Sequence, residues 1–348
     1  MQGPIRRLLW TLLCTAMLQM PLADPVATAQ APQPASAPDA ASPAAQGAPS
    51  NEAATEEVPR SQWEAMSEVG AGYDTNANGS TSVQSFLGFP LDPRYVATES
   101  SFAQAGLSVQ NTLNLTPVSG FITAMQLSHR VNPDASFANQ TIAALGTEGI
   151  VTRGAARFSF ALGGYASWLQ GDSDEHGANF DLSAAHAAND LETIVTLRTS
   201  RIENAQAEFA DLEVMRYLAA FTLNRTNLGT RAGNVGLTLV GGRDSPLRSS
   251  SLFGNHRFGA QISAGWQVRE HARAYLEASF LRSDYGDPIF DQHRTDDQIS
   301  AAAALEVQGW PAERWVLAPQ LQYLRSQSTV SLFEYDRLQV VIYLRRAL

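Results

Sequence analysis

Few side chains in this sequence could do covalent chemistry, and their spacing limits them further. Nucleophilic catalysis needs a nucleophile and a base within hydrogen-bond reach. His129 and His186 have outward parity near predicted strand ends, and His271 lies in a short predicted turn, so no such pair is in view and no enzyme is expected. The one cysteine, Cys14, sits in an N-terminal apolar stretch that a mature chain would lose, and thiol nucleophiles, disulfides and Cys-ligated metals are excluded together. Two acidic clusters carry metal-capable groups: Asp172, Asp174, Glu175 and His176, then Asp291, His293, Asp296 and Asp297. Oxygen sets suit Ca²⁺ and Glu/His sets suit Zn²⁺, but both clusters fall where the pattern predicts solvated outer loops. The sequence implies no metal site and no cofactor.

The richer chemistry is electrostatic. Glu64, Glu68, Asp181, Glu192, Glu277 and Glu306, with Arg130, Arg157, Arg198, Arg216 and Arg273, share one parity of alternating segments. That parity is the lumenal one, where charges either pair across a small barrel or line a wet path.

The elements that must hold these charges are strands. From Ser61 onward apolar and polar residues alternate with period two, as in Trp63, Ala65, Ser67, Val69, Ala71 and Tyr73 against Glu64, Met66, Glu68, Gly70, Gly72 and Asp74. The pattern recurs to the C-terminus, with Thr141 to Gly149 alternating poorly, and yields about fourteen strands of the length that crosses a bilayer. Short turns at Thr116 to Ser119, Thr152 to Gly154, Asn189-Asp190, Arg269 to His271 and Gly309 to Glu313 interleave with longer loops at 75 to 100, 170 to 177, 201 to 211, 243 to 255, 284 to 295 and 325 to 334. Aromatic residues gather at strand ends, where Trp and Tyr meet the headgroups. The predicted fold is all-β, an antiparallel up-and-down transmembrane β-barrel over residues 61 to 348 in the outer membrane of a Gram-negative bacterium. Its expected partners are outer-membrane lipid, lipopolysaccharide and the barrel assembly machinery. Pro319, at an outward position, forfeits one ladder bond and predicts a local irregularity.

Residues 1 to 29 read as a secretory signal: Arg6 and Arg7, an apolar stretch from Leu8 to Met20, and cleavage after Ala29 or after Ala23. Residues 30 to 60, rich in Ala, Pro, Ser and Gln, are too poor in large apolar residues to offset the entropy of ordering and read as a disordered tether. The chain has 348 residues, a net charge of −10 and no lysine. No segment of the mature chain has the basic excess that phosphate backbones select, so a nucleic-acid partner is not expected.

Two stretches are recognisable. The first strand ends in Gly72-Tyr73-Asp74-Thr75-Asn76-Ala77-Asn78, and the C-terminal hairpin carries Tyr323, Ser328, Phe333, Glu334, Tyr335, Asp336 and Arg337. Together they resemble the C-terminal barrel of the surface lipoprotein assembly modifier family, which usually has a helical-repeat domain where this chain has its Ala/Pro tether. The resemblance implies a fourteen-stranded translocon-like barrel that assists export or surface display of lipoproteins or related secreted protein cargo. A passive outer-membrane channel or a polysaccharide-export pore is the alternative. Parity aims Arg337 into the lumen at the outer end of the closing strand and Asp336 the other way. Arg337 is expected to pair with Asp74 at a wet rim, a bond worth about 0–1 kcal/mol.

Overall fold

The computed structural model describes residues 61–86, 89–91, 95–228, 233–288 and 291–348. The expected signal and the expected tether lie outside them. In chain order the strands are β1 (Ser61–Asp74), β2 (Ser85–Phe86), β3 (Phe89–Pro90), β4 (Ser100–Thr116), β5 (Ser119–Val131), β6 (Gln140–Arg153), β7 (Ala156–Leu169) and β8 (Asp172–Ala188). They continue as β9 (Leu191–Asn204), β10 (Val214–Leu228), β11 (Gly233–Pro246), β12 (Asn255–Arg269), β13 (Ala272–Tyr285), β14 (Thr295–Gln308), β15 (Trp315–Ser328) and β16 (Tyr335–Ala347). Strands β2 and β3 form a small hairpin inside the first outer loop, and the other fourteen close an antiparallel barrel in sequence order.

The alternation read from the sequence is the alternation of the wall. Leu107, Met125, Leu162, Leu182, Leu197, Phe221, Leu239, Ile262, Leu276, Leu321 and Ile342 all point outward and are exposed, an apolar belt that only lipid can cover. Closure leaves no strand edge, which satisfies the backbone inside hydrocarbon. No helix among the described residues is long and apolar enough to cross a membrane; the crossing is made by strands.

Termini meet where β1 pairs with β16 over nine positions, from Met66 opposite Ala347 to Asp74 opposite Gln339. The inner face of this seam is packed tightly, with Phe102 on β4, Ala318 on β15 and Val341 and Tyr343 on β16 forming one buried cluster. Two glycines of β1 make the room. A Cβ on Gly70 would come within 2.5 Å of the Tyr343 ring, and one on Gly72 would collide with the Val340 carbonyl oxygen and the Phe102 ring.

Three expectations need correction. Residues 170 to 177 are not a loop: Gln170 (φ 53°) and Gly171 (φ 93°) take left-handed conformations and close a two-residue turn, and β8 begins at Asp172. A loop with no place in the predicted pattern lies between β5 and β6, where Asn132 accepts from Ala135 and holds a short 3-10 turn at Ser136–Ala138. The strands also run longer than a bilayer needs, to 17 residues in β4 and β8.

Candidate functional site

The inner wall carries charge at three heights. At the outer end, Asp74, the last residue of β1, has no exposed surface. It accepts from Arg337 Nε at 2.9 Å and Nη2 at 2.5 Å, and from Arg130 Nη2 at 2.7 Å. The Arg130 guanidinium lies 3.8 Å from the centroid of Phe102 and donates to Asn132 at 2.9 Å. The expected Arg337–Asp74 pair is therefore present, but the wet rim is not, because residues 75 to 82 fold over it. Asn76 builds that cover: its backbone N–H donates to Asp74 Oδ1, and its side-chain amide donates to the carbonyls of Ser80 and Asp336. Asn78 holds the next turn through Val96 and Thr98. Asp336 points away from Arg337, as parity required, and accepts from the Ser82 hydroxyl at 3.0 Å. Tyr335 accepts from Gln298, and Tyr73 points outward to Glu99. The two motif stretches thus form one knot over the seam.

Across the same height, Asp244 on β11 accepts from Arg216 on β10 (2.9 and 3.0 Å) and from Arg257 on β12 (2.6 Å). Midway down, Asp181 and Arg198 form a two-bonded pair at 2.8 and 2.7 Å. Near the periplasmic end Arg345 joins Glu68 (2.6 Å) to Glu306 (3.0 Å), and Arg157 reaches Glu192 at 3.2 Å. Arg273 donates to Asn234 and lies against the Tyr275 ring. Glu64 stands opposite Gln110, and Glu277 opposite Ser263 and Ala302.

Several inward groups went unread. Asp244 and Arg257 fell in or beside a segment taken for loop, yet Arg216 on the neighbouring strand was a signal that a counter-charge was needed. Arg345 has clean lumenal parity beside Leu344 and was legible. Glu148 lies in the poorly alternating segment and is buried against the wall with one carboxylate oxygen unpaired. Asp174 and Glu175 both turn inward at a bulge opposite Ser167, where Ser167 bonds Asp174 and Tyr165 bonds Glu175. They belong to β8 and not to an outer acidic loop. Among the described residues no group of three or more His, Cys, Asp or Glu could hold a metal ion.

Fold and lining define an outer-membrane β-barrel with an apolar exterior and a charged, ion-paired interior. No protein-family model and no curated protein matches the chain. Among solved structures it is similar to in-vitro folded OmpT, an outer membrane protein of Vibrio cholerae, at 7% identity and TM-score 0.46, over 84% of this chain and 99% of that one. It is also similar to Acinetobacter baumannii OccAB1, at 10% identity and TM-score 0.43, over 84% and 97%. A third is Pseudomonas aeruginosa OccK9 (OpdG), at 8% identity and TM-score 0.42, over 82% and 98%. At these levels the reading of the barrel rests on its own pairing and lining.

Proposed function

We propose that the protein is a passive outer-membrane channel for small polar solutes. The observation that supports it most is the run of charge down the inner wall, from Asp74 and Asp244 at the outer end through Asp181 to Glu306, on strands whose outward positions form the apolar belt. Charges of both signs, many of them joined in ion pairs, suit solutes of either sign and weak ion selectivity. A gate through the wall is disfavoured, because the seam is paired over nine positions and clamped by Arg337 and Arg345. Reconstitution in planar bilayers tests the reading: folded protein should give discrete conductance steps with little ion preference. Arg198→Ala, which leaves Asp181 without its guanidinium, should shift selectivity toward cations. A folded barrel that gives no conductance overturns the proposal.

The second reading is export or display of a lipoprotein or secreted protein. It is favoured by one observation, that the two stretches resembling the assembly-modifier family fold into a single knot through Asn76, Ser82, Asp336 and Arg337. Co-expression with a candidate cargo should then give surface labelling of that cargo, reduced by Arg337→Ala while insertion persists. Unchanged labelling removes this reading.

A further inference from the structure

The outer ends of the strands differ around the circumference. Arg201 on β9, Arg243 on β11, Arg282 on β13 and Arg325 on β15 are all exposed on outward positions. They occur on every second strand, so neighbours are roughly 10 Å apart along the wall. Each stands directly beyond the apolar belt, above Leu197, Leu239, Phe280 and Tyr323 respectively. Between them, β10, β12 and β14 carry Tyr217, His256 and Asp297 near that level, and the strands of the remaining wall, β1, β4 to β8 and β16, carry Tyr73, Ala103, His129, Thr141, Trp168, His176 and Asp336 on outward positions there and no arginine.

Local carboxylates cancel only part of this fence. Glu203 takes Arg201 at 2.5 Å and is shared with His176 at 3.3 Å, and Asp297 lies 3.7 Å from Arg282. Arg243 faces the Tyr217 ring on one side, 5.4 Å to its centroid, and is opposite His256 on the other. Asp284, across from His256, is 3.3 Å from His293. Arg325 is in register with Asp336, but the two form no ion pair, and Asp336 turns one oxygen to the Ser82 hydroxyl. Among the described residues, therefore, no ion pair takes the guanidinium of Arg243 or of Arg325 at the border between hydrocarbon and headgroup.

We propose that this sector of the outer wall, β9 to β15, binds the phosphates of lipid A in lipopolysaccharide. Long loops mark this end as the outer one, so the lipid here is that of the outer leaflet. A guanidinium takes a phosphate through two parallel hydrogen bonds, while the exposed Leu, Phe and Tyr beneath it face the acyl chains. The occupant is fixed by where the arginines stand: a free phosphate has no use for the apolar half of the surface.

The test is the lipopolysaccharide that stays with the full protein after extraction from outer membranes in non-ionic detergent and washing with EDTA. Wild type should retain it. Arg243→Ser/Arg325→Ser should retain about 30-fold less, at about 1 kcal/mol for each arginine near an anionic surface. The lysine pair Arg243→Lys/Arg325→Lys should fall between them, and His129→Ser, on the bare side, should match wild type. Each variant is first checked for the heat-modifiable band of a folded barrel. Equal retention by the serine pair overturns the proposal, as does equal displacement of the bound lipid by phosphatidylglycerol, which would make the site a generic anionic-lipid surface.

Discussion

Asp74 is one carboxylate serving two guanidiniums where no solvent reaches it. Removing it strands Arg130 and Arg337 together, and breaking a buried pair from one side costs about 3–5 kcal/mol. Asp74→Asn should therefore lower the urea midpoint of the lipid-reconstituted barrel strongly. Arg337→Ala should lower it less, because Arg130 remains on Asp74. If the two variants unfold alike, the shared carboxylate is not the centre of the cluster. This pair was legible in the sequence because both residues end strands that closure forces together, with matching parity. Its burial was not, since that depends on Asn76 and Ser80 holding the turn after β1 across it. The Arg345–Glu306 and Arg257–Asp244 bonds were harder still: parity says which side chains face inward, and only the stagger of neighbouring strands says which of them meet.

At the scale of elements, period-two alternation identified the wall because one face meets lipid and the other does not. Beyond the lipid both faces are polar and the signal fades, which is why β8 was begun too late and the segments near 201 and 243 were read as loop. Asp172 to His176 offer no apolar parity to count, yet Gln170 and Gly171 turn the chain in two residues and keep it paired. The glycines of β1 are a stricter requirement. Gly72→Ala places a methyl group against the Val340 carbonyl and the Phe102 ring, so β1 must shift from β16 to accept it. That variant should lose its heat-modifiable mobility at a lower temperature than wild type. Gly241→Ala, where a Cβ meets nothing, should not. Equal melting of the two would show that the seam has slack.

For the whole molecule, the described barrel is complete from Ser61 to Ala347, with each of its strands paired on both sides. Deletion of residues 30 to 59 should therefore leave the heat-modifiable band unchanged, checked by comparing boiled and unboiled samples of membrane fractions. Loss of that band would give the segment a structural place.

A closed wall need not be equally strong all round. The junction of the two chain ends is the natural place to look for weakness, yet its nine paired positions, Met66 to Asp74 against Ala347 to Gln339, run without a break. Pairing lapses instead between β14 and β15, where Leu305 and Glu306 face Pro319 and Ala318 and the register resumes at Val307 with Leu317. Proline brings no N–H to that ladder. Deuterium taken up from the solvent should accordingly enter the amides around Leu305 and Glu306 sooner than those of Val69 to Gly72, although the latter lie beside a chain terminus. The barrel's first breathing motion would then run along an internal hairpin and leave the closure untouched.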